Sequence, residues 1–174
     1  MRNLVIRDAS INDIPAIVKV RRAAFTTKEV QGFTTPERSV FYSQKELRKT
    51  WLKKNQLYGG WEVVVADENG EIMGFIVFKT ENGAGYIDNI NIAKEKQRTG
   101  VGKALVSHVE GLVRSRGFHT IRTDTTENAK GEPWKSYAFW TKMGYKDTGE
   151  RLKTKWSFKE IPFDKDIEEK IRAA

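Results

Sequence analysis

The sequence contains no cysteine, which excludes disulfides, thiolate metal sites and a Cys nucleophile. Its two histidines, His108 and His119, leave little material for zinc, so no metal is expected. Proline is scarce at four residues, and glycine stands at 14 of 174, unlike a disordered or low-complexity chain. No apolar run approaches the roughly 20 residues of a membrane span. The opening Met1-Arg2-Asn3-Leu4-Val5-Ile6-Arg7-Asp8 lacks the apolar core of a signal peptide. A cytoplasmic protein with no membrane partner is expected.

Apolar residues make up 39% of the chain, with nine Phe and five Trp among them, enough for the core of one domain. Lys and Arg outnumber Asp and Glu by 31 to 23, a formal charge of +8. That surplus suits polyanions, whether RNA, DNA or a phosphorylated small molecule. The basic residues are scattered rather than striped and carry no nucleic-acid-binding signature. Nucleic acid is therefore the less favoured partner.

Along the chain, Leu4–Arg7 reads as a strand and Ser10 as the cap of a helix from about Ile11 to Phe25. Residues 26–42 read as irregular, and a second helix follows Ser43 through Leu47, Trp51 and Leu52. Val63–Ala66, the turn Asp67-Glu68-Asn69-Gly70 and Ile72–Phe78 form a hairpin signature. A strand Tyr86–Ile92 leads through a charged loop into Thr99-Gly100-Val101-Gly102 and an amphipathic helix to about Arg116. Phe118–Asp124 reads as a strand and Trp134–Met143 as a helix, with Tyr145–Glu150 and Lys153–Lys159 as a terminal strand pair. Residues 1–160 make one domain, and 161–174 a charged tail, helical from Asp164, with Ile167 and Ile171 spaced to touch the body.

Gln97-Arg98-Thr99-Gly100-Val101-Gly102-Lys103 lies between a strand and a helix, where backbone N–H groups and the helix dipole can converge on a phosphate. It is not a Walker A motif, since no Gly lies five residues before Gly102-Lys103 and Ala104 replaces the Ser or Thr. It is not a dinucleotide fingerprint either, because Leu105 stands where the third Gly belongs. A structural tight turn and a phosphate cradle both remain open from these residues alone.

The surrounding frame resembles the GNAT superfamily of N-acetyltransferases. Gln97-x-x-Gly100-x-Gly102 follows the apolar strand Ile87–Ile92, and Phe139-Trp140-Thr141-Lys142-Met143-Gly144-Tyr145 resembles the family's aromatic-aromatic-x-x-x-Gly-Phe/Tyr ending. The resemblance covers roughly residues 3–159. It implies a mixed α/β fold, with a twisted, mostly antiparallel sheet of about seven strands flanked by about four helices. It also implies acetyl-CoA as donor, and direct attack by a primary amine while both substrates are bound. The acceptor would be a small molecule (a polyamine, an antibiotic or an amino-acid-like compound) or a protein amine; a basic enzyme suggests an acceptor with a carboxylate beside the amine. Homodimers are frequent in the family.

By the same resemblance, the amides of Arg98, Thr99, Gly100, Val101, Gly102 and Lys103 cradle the pyrophosphate, and Gln97 belongs to the same cofactor-binding turn as a signature contact or loop-shaping residue. Ile90, Asn91 and Ile92 run beside the pantetheine, with the oxyanion donor a backbone N–H at Asn91 or Ile92. Asp88 is the candidate base and Asn128 the candidate pantetheine contact. The family's general acid is usually a Tyr at the position of Trp140, which cannot donate that proton. Trp140 is thus expected to line the cofactor, and Tyr137, one turn earlier, is the candidate acid. The alternative class is a non-catalytic nucleic-acid- or CoA-binding module on the same fold.

Overall fold

In a computed structural model, residues 3–24, 39–53, 55–155 and 158–168 are described. Within them, ten strands form one mixed sheet with helices on both faces, the expected α/β class with more and shorter strands. The hairpin at its centre is the pair β4 (Glu62–Glu68) and β5 (Glu71–Glu81), joined at Asn69-Gly70 with positive φ at both residues. Alternate residues serve opposite faces. Val64, Ala66, Ile76 and Phe78 pack toward α3 (Val101–Ser115), whereas Val63, Val65, Phe75 and Val77 pack toward α1 (Ile14–Ala23) and α2 (Gln44–Thr50). Burial on both faces explains why these strands read as continuous apolar runs.

β1 (Leu4–Asp8) pairs with β4, and β6 (Ala84–Ile92) follows β5 in antiparallel register. α3 then crosses over to β7 (Thr120–Glu127), which lies parallel to β6. α4 (Ser136–Lys142) packs on the α3 face through Trp140. At Gly85 the sheet and α3 approach so closely that a Cβ would sit 2.6 Å from Val113 Cγ2 and 3.2 Å from Ile121 Cγ1. Gly85→Ala is expected to lower stability by about 1–3 kcal/mol through overpacking, read as a lower midpoint in urea unfolding.

Three expectations are corrected. The second helix stops at Thr50: Trp51–Lys53 forms β2, whose Trp51 pairs with Leu57 of β3 (Gln56–Leu57), so the aromatic side chain serves a strand. The terminal strand pair is displaced. β8 (Lys146–Asp147) and β9 (Leu152–Lys153) are two residues each, and both pair with β10 (Lys159–Asp166). The segment 160–166 is thus no tail and Asp164 begins no helix: β10 pairs along its whole length with β7, burying Ile161 and Phe163. Ile167 does reach the core, while Ile171, Phe25 and most of the irregular 26–42 segment lie outside the described residues.

Candidate active site

β6 and β7 pair only at Gly85↔Ile121 and Tyr86↔Arg122. Beyond those pairs β6 continues against β5, and β7 against β10, so the two strands part into a fork. A bulge accompanies the parting. Val77 faces Asn89 and Phe78 faces Ile87, which leaves Asp88 as the extra residue on β6; bulges of this kind re-aim a side chain beside a site. Asp88 is exposed, and its Oδ2 accepts from Asn89 Nδ2 at 2.7 Å.

Backbone direction decides which amide faces the fork. Ala93 N–H donates to Met73 O of β5, and alternation along a strand turns the Asn91 amide the same way. The Ile92 amide then points into the fork, and the Asn91 amide away from it. The Asn91 side chain is buried on the α1 face, where its Oδ1 accepts from Arg21 Nη1 at 2.8 Å. Ile90 and Ile92 pack on the opposite, α3 face. Burial lowers the pKa of the Arg21 guanidinium, while Asp88 and Tyr42 oppose that shift.

The end of β6 runs directly into the glycine turn. Gln97 Nε2 donates to Ile92 O at 3.2 Å and to Ala24 O at 3.1 Å, tying the strand to the end of α1. Thr99 Oγ1 donates to Lys96 O at 2.6 Å. Arg98 and Gly100 take positive φ, 64° and 95°, to bring the chain round into α3. Gly100 supplies no side-chain cap, and its carbonyl accepts the first helical bond, from Ala104 N–H. The N–H groups of Val101, Gly102 and Lys103 therefore have no partner within the helix. They stand at the positive end of a 15-residue helix, flanked by the exposed side chains of Arg98 and Lys103. A Cβ on Gly102 would lie 3.3 Å from Phe139 and 3.7 Å from Ile92, so the turn sits beside the fork.

The remaining expected site residues have other occupations. Asn128 Nδ2 donates to Glu132 Oε2 at 2.7 Å and its Oδ1 accepts from the N–H groups of Lys130 and Glu132, so the side chain closes its own loop. Trp140 is 2% exposed and wedged edge-on between Phe139 and Tyr145, a core position. Phe139, read in the sequence only as the first residue of the aromatic ending, is the aromatic that meets Gly102. The Tyr137 hydroxyl donates to Asp147 Oδ2 at 3.1 Å, and that carboxylate raises the phenol's pKa. Asp147 in turn is held by Arg151, which also bonds the buried Glu127.

Asp124 on β7 was not legible as a site residue. It follows Arg122 by two residues, on the same face as Asp88, and its carboxyl is pushed up to about 7, by desolvation first and then by Glu160 and Asp88. By surface area the residue is exposed, yet enough protein surrounds its carboxyl to penalise the charged form. The sequence signal was the alternation Arg122-x-Asp124-x-Thr126, whose meaning depends on β10 lying alongside.

Residues 25–145 match the model of a family described as acetyltransferase (GNAT). No curated protein matches the sequence significantly. Similar folds are found in a protein described as an acetyltransferase of the GNAT family from Desulfovibrio desulfuricans, 19% identical with a TM-score of 0.72, covering 95% of this chain and 100% of that one. Another is PaiA N-acetyltransferase from Thermoplasma acidophilum in complex with coenzyme A, 17% identical, TM-score 0.67, covering 94% of this chain and 99% of that one. A third is the aminoglycoside 6′-N-acetyltransferase of Enterococcus faecium, 19% identical, TM-score 0.67, covering 94% of this chain and 97% of that one.

Proposed function

The chain belongs to the acetyltransferase (GNAT) family, and from that membership we propose that the fork between β6 and β7 is where an amine takes the acetyl group of acetyl-CoA. The carrying observation is the adjacency of two features, an opened strand edge and an uncapped helix start, joined through Ile92, Gly102 and Phe139. The free amides of Val101, Gly102 and Lys103 fit a pyrophosphate, and Arg98 and Lys103 add charge around it. From there the exposed edge at Ile90 and Ile92 offers backbone groups to the amide-rich pantetheine arm. The thioester carbonyl then meets the Ile92 N–H, which stabilises the oxyanion as it forms. Asp88, brought forward by its bulge, holds the incoming ammonium.

Neither Trp140 nor Tyr137 is placed as a ready acid, the first being buried and the second donating to Asp147. The departing thiolate takes its proton from the attacking nitrogen or from water. As for the acceptor, the exposed fork face carries Asp88, Asp124, Glu160 and Asp164 around Arg122. Its local charge opposes the net charge of the whole chain, and so it suits a cationic amine, of the polyamine or aminoglycoside kind, better than one bearing a carboxylate.

Titration calorimetry tests the donor half. Wild type is expected to bind acetyl-CoA with micromolar affinity, and the paired variant Arg98→Ala/Lys103→Ala about tenfold more weakly, the effect of losing two exposed charge contacts of about 0.7 kcal/mol each. Wild-type protein that binds no acetyl-CoA, and frees no CoA with any amine of a polycationic and peptide panel, refutes the reading.

A further inference from the structure

Family membership names the reaction but not the group that frees the acceptor's lone pair, and the bulge draws attention to Asp88. The geometry of the fork offers a second carboxyl. Tyr86 and Arg122 are the last paired residues of β6 and β7, and the Tyr86 hydroxyl accepts from Arg122 Nη1 at 2.9 Å. Asp88 and Asp124 each lie two residues further on, so strand alternation puts them on one face, on opposite arms of the fork. They are also close enough for the charge of Asp88 to act on Asp124.

The two carboxyls are not equivalent. Asp88 is held by the Asn89 amide and interacts with the buried Arg21. Asp124 has no hydrogen bond or ion pair among the described residues, and its cross-strand partner is Pro162, which offers no N–H. The charged groups around Asp124 are Asp88 on β6, Glu160 and Asp164 on β10, Arg122 on its own strand and Arg21 on α1 beyond Asp88. Arg122 is engaged with Tyr86 and lies opposite Asp164.

We propose that Asp124 is the catalytic residue that takes the acceptor's proton, while Asp88 holds the ammonium in place. This rests on the transferase reading above. One proton passes from the R–NH3⁺ group to Asp124, and the freed lone pair forms the C–N bond with the thioester carbonyl. The C–S bond then breaks, and a second nitrogen proton goes to the thiolate, giving amide and CoA thiol. Asp124 returns its proton to solvent. A carboxyl that titrates about neutrality, as the surroundings of Asp124 dictate, is suited to this task at physiological pH.

The test compares wild type, Asp124→Asn and Asp88→Asn in a CoA-release assay across pH 5.5 to about 9, with polyamines and aminoglycosides as acceptors. Wild-type kcat/KM is expected to fall on the acid side with an apparent pKa of about 7. Asp124→Asn should lower kcat about a hundredfold, leave the KM for acetyl-CoA within about twofold and abolish that acid limb. Asp88→Asn should instead raise the acceptor KM and move the limb to lower pH, because a negative neighbour has been removed. Infrared difference titration of wild type against Asp124→Asn, which needs no acceptor, should show a carboxyl protonating near neutrality. An active wild type whose kcat survives Asp124→Asn, or a carboxyl titrating at about 4 like a free Asp, overturns this assignment alone. Wild type that neither binds acetyl-CoA nor releases CoA overturns the transferase reading and the assignment together.

Discussion

A chain ending at Phe158 is expected not to fold. β10 stands between β7 and β8 in the sheet, and among the described residues it alone pairs with β8 and β9. Removing it strips Ile161, Phe163 and Ile167 from the core, each at most 3% exposed. At about 1.5–3 kcal/mol per fully buried apolar side chain, that loss alone approaches the roughly 5–15 kcal/mol that holds a domain together. The truncation also removes Lys165, whose Nζ donates to Glu110 Oε1 at 2.9 Å and to Met143 O at 2.8 Å, joining the strand to α3 and the end of α4. The long edge of β7 would be left bare, an invitation to pair with other chains. Circular dichroism should show no cooperative thermal transition for the shortened chain. A sharp transition near that of the full chain would contradict the place given to β10.

That strand also shows why part of the fold was hidden. Lys159-Glu160-Ile161-Pro162-Phe163-Asp164-Lys165-Asp166 alternates as a strand does, with Ile161 and Phe163 inward and Glu160 and Asp164 outward. Only two apolar residues carry the pattern, and Pro162 argues against an internal strand unless its missing N–H falls where no donor is needed. The segment's charges therefore outweigh its strand pattern. By contrast, Val63–Ala66 and Ile72–Phe78 announced themselves because both faces of β4 and β5 are covered, and α3 because its apolar stripe repeats over four turns. The site divides along the same line. The Gln97–Lys103 turn is contiguous, so its glycines and spacing could be read directly. The fork face gathers Arg21, Asp88, Asn91 and Asp124 from three elements. No single segment states that they meet, and the exposed Asp124 looked like any solvated residue until β10 took its place beside β7.

Two glycines of one helix should respond in opposite ways to a side chain, and the difference isolates the anion-binding turn. Gly100 adopts φ 95° at the entry to α3, a conformation that costs an L-residue about 1–2 kcal/mol and a β-branched one more. Gly100→Val must either carry that strain or relax it, and relaxation rotates the amides of Val101, Gly102 and Lys103 away from a common point. Hydrogen bonds to a charged group are worth about 1.5–3 kcal/mol each. Misaiming one or two of them should weaken acetyl-CoA binding by about a hundredfold, measured by calorimetry on protein shown to be folded. Gly111 sits in the middle of the same helix with nothing within 4 Å of an added Cβ. There Gly111→Ala has no strain to introduce, and by restricting the unfolded chain it should stabilise the protein by about 0.4–1 kcal/mol while leaving affinity unchanged. If Gly100→Val binds acetyl-CoA as wild type does, the pyrophosphate does not rest on the start of α3. If Gly111→Ala also loses affinity, α3 acts through its packing as a whole rather than through its first-turn amides.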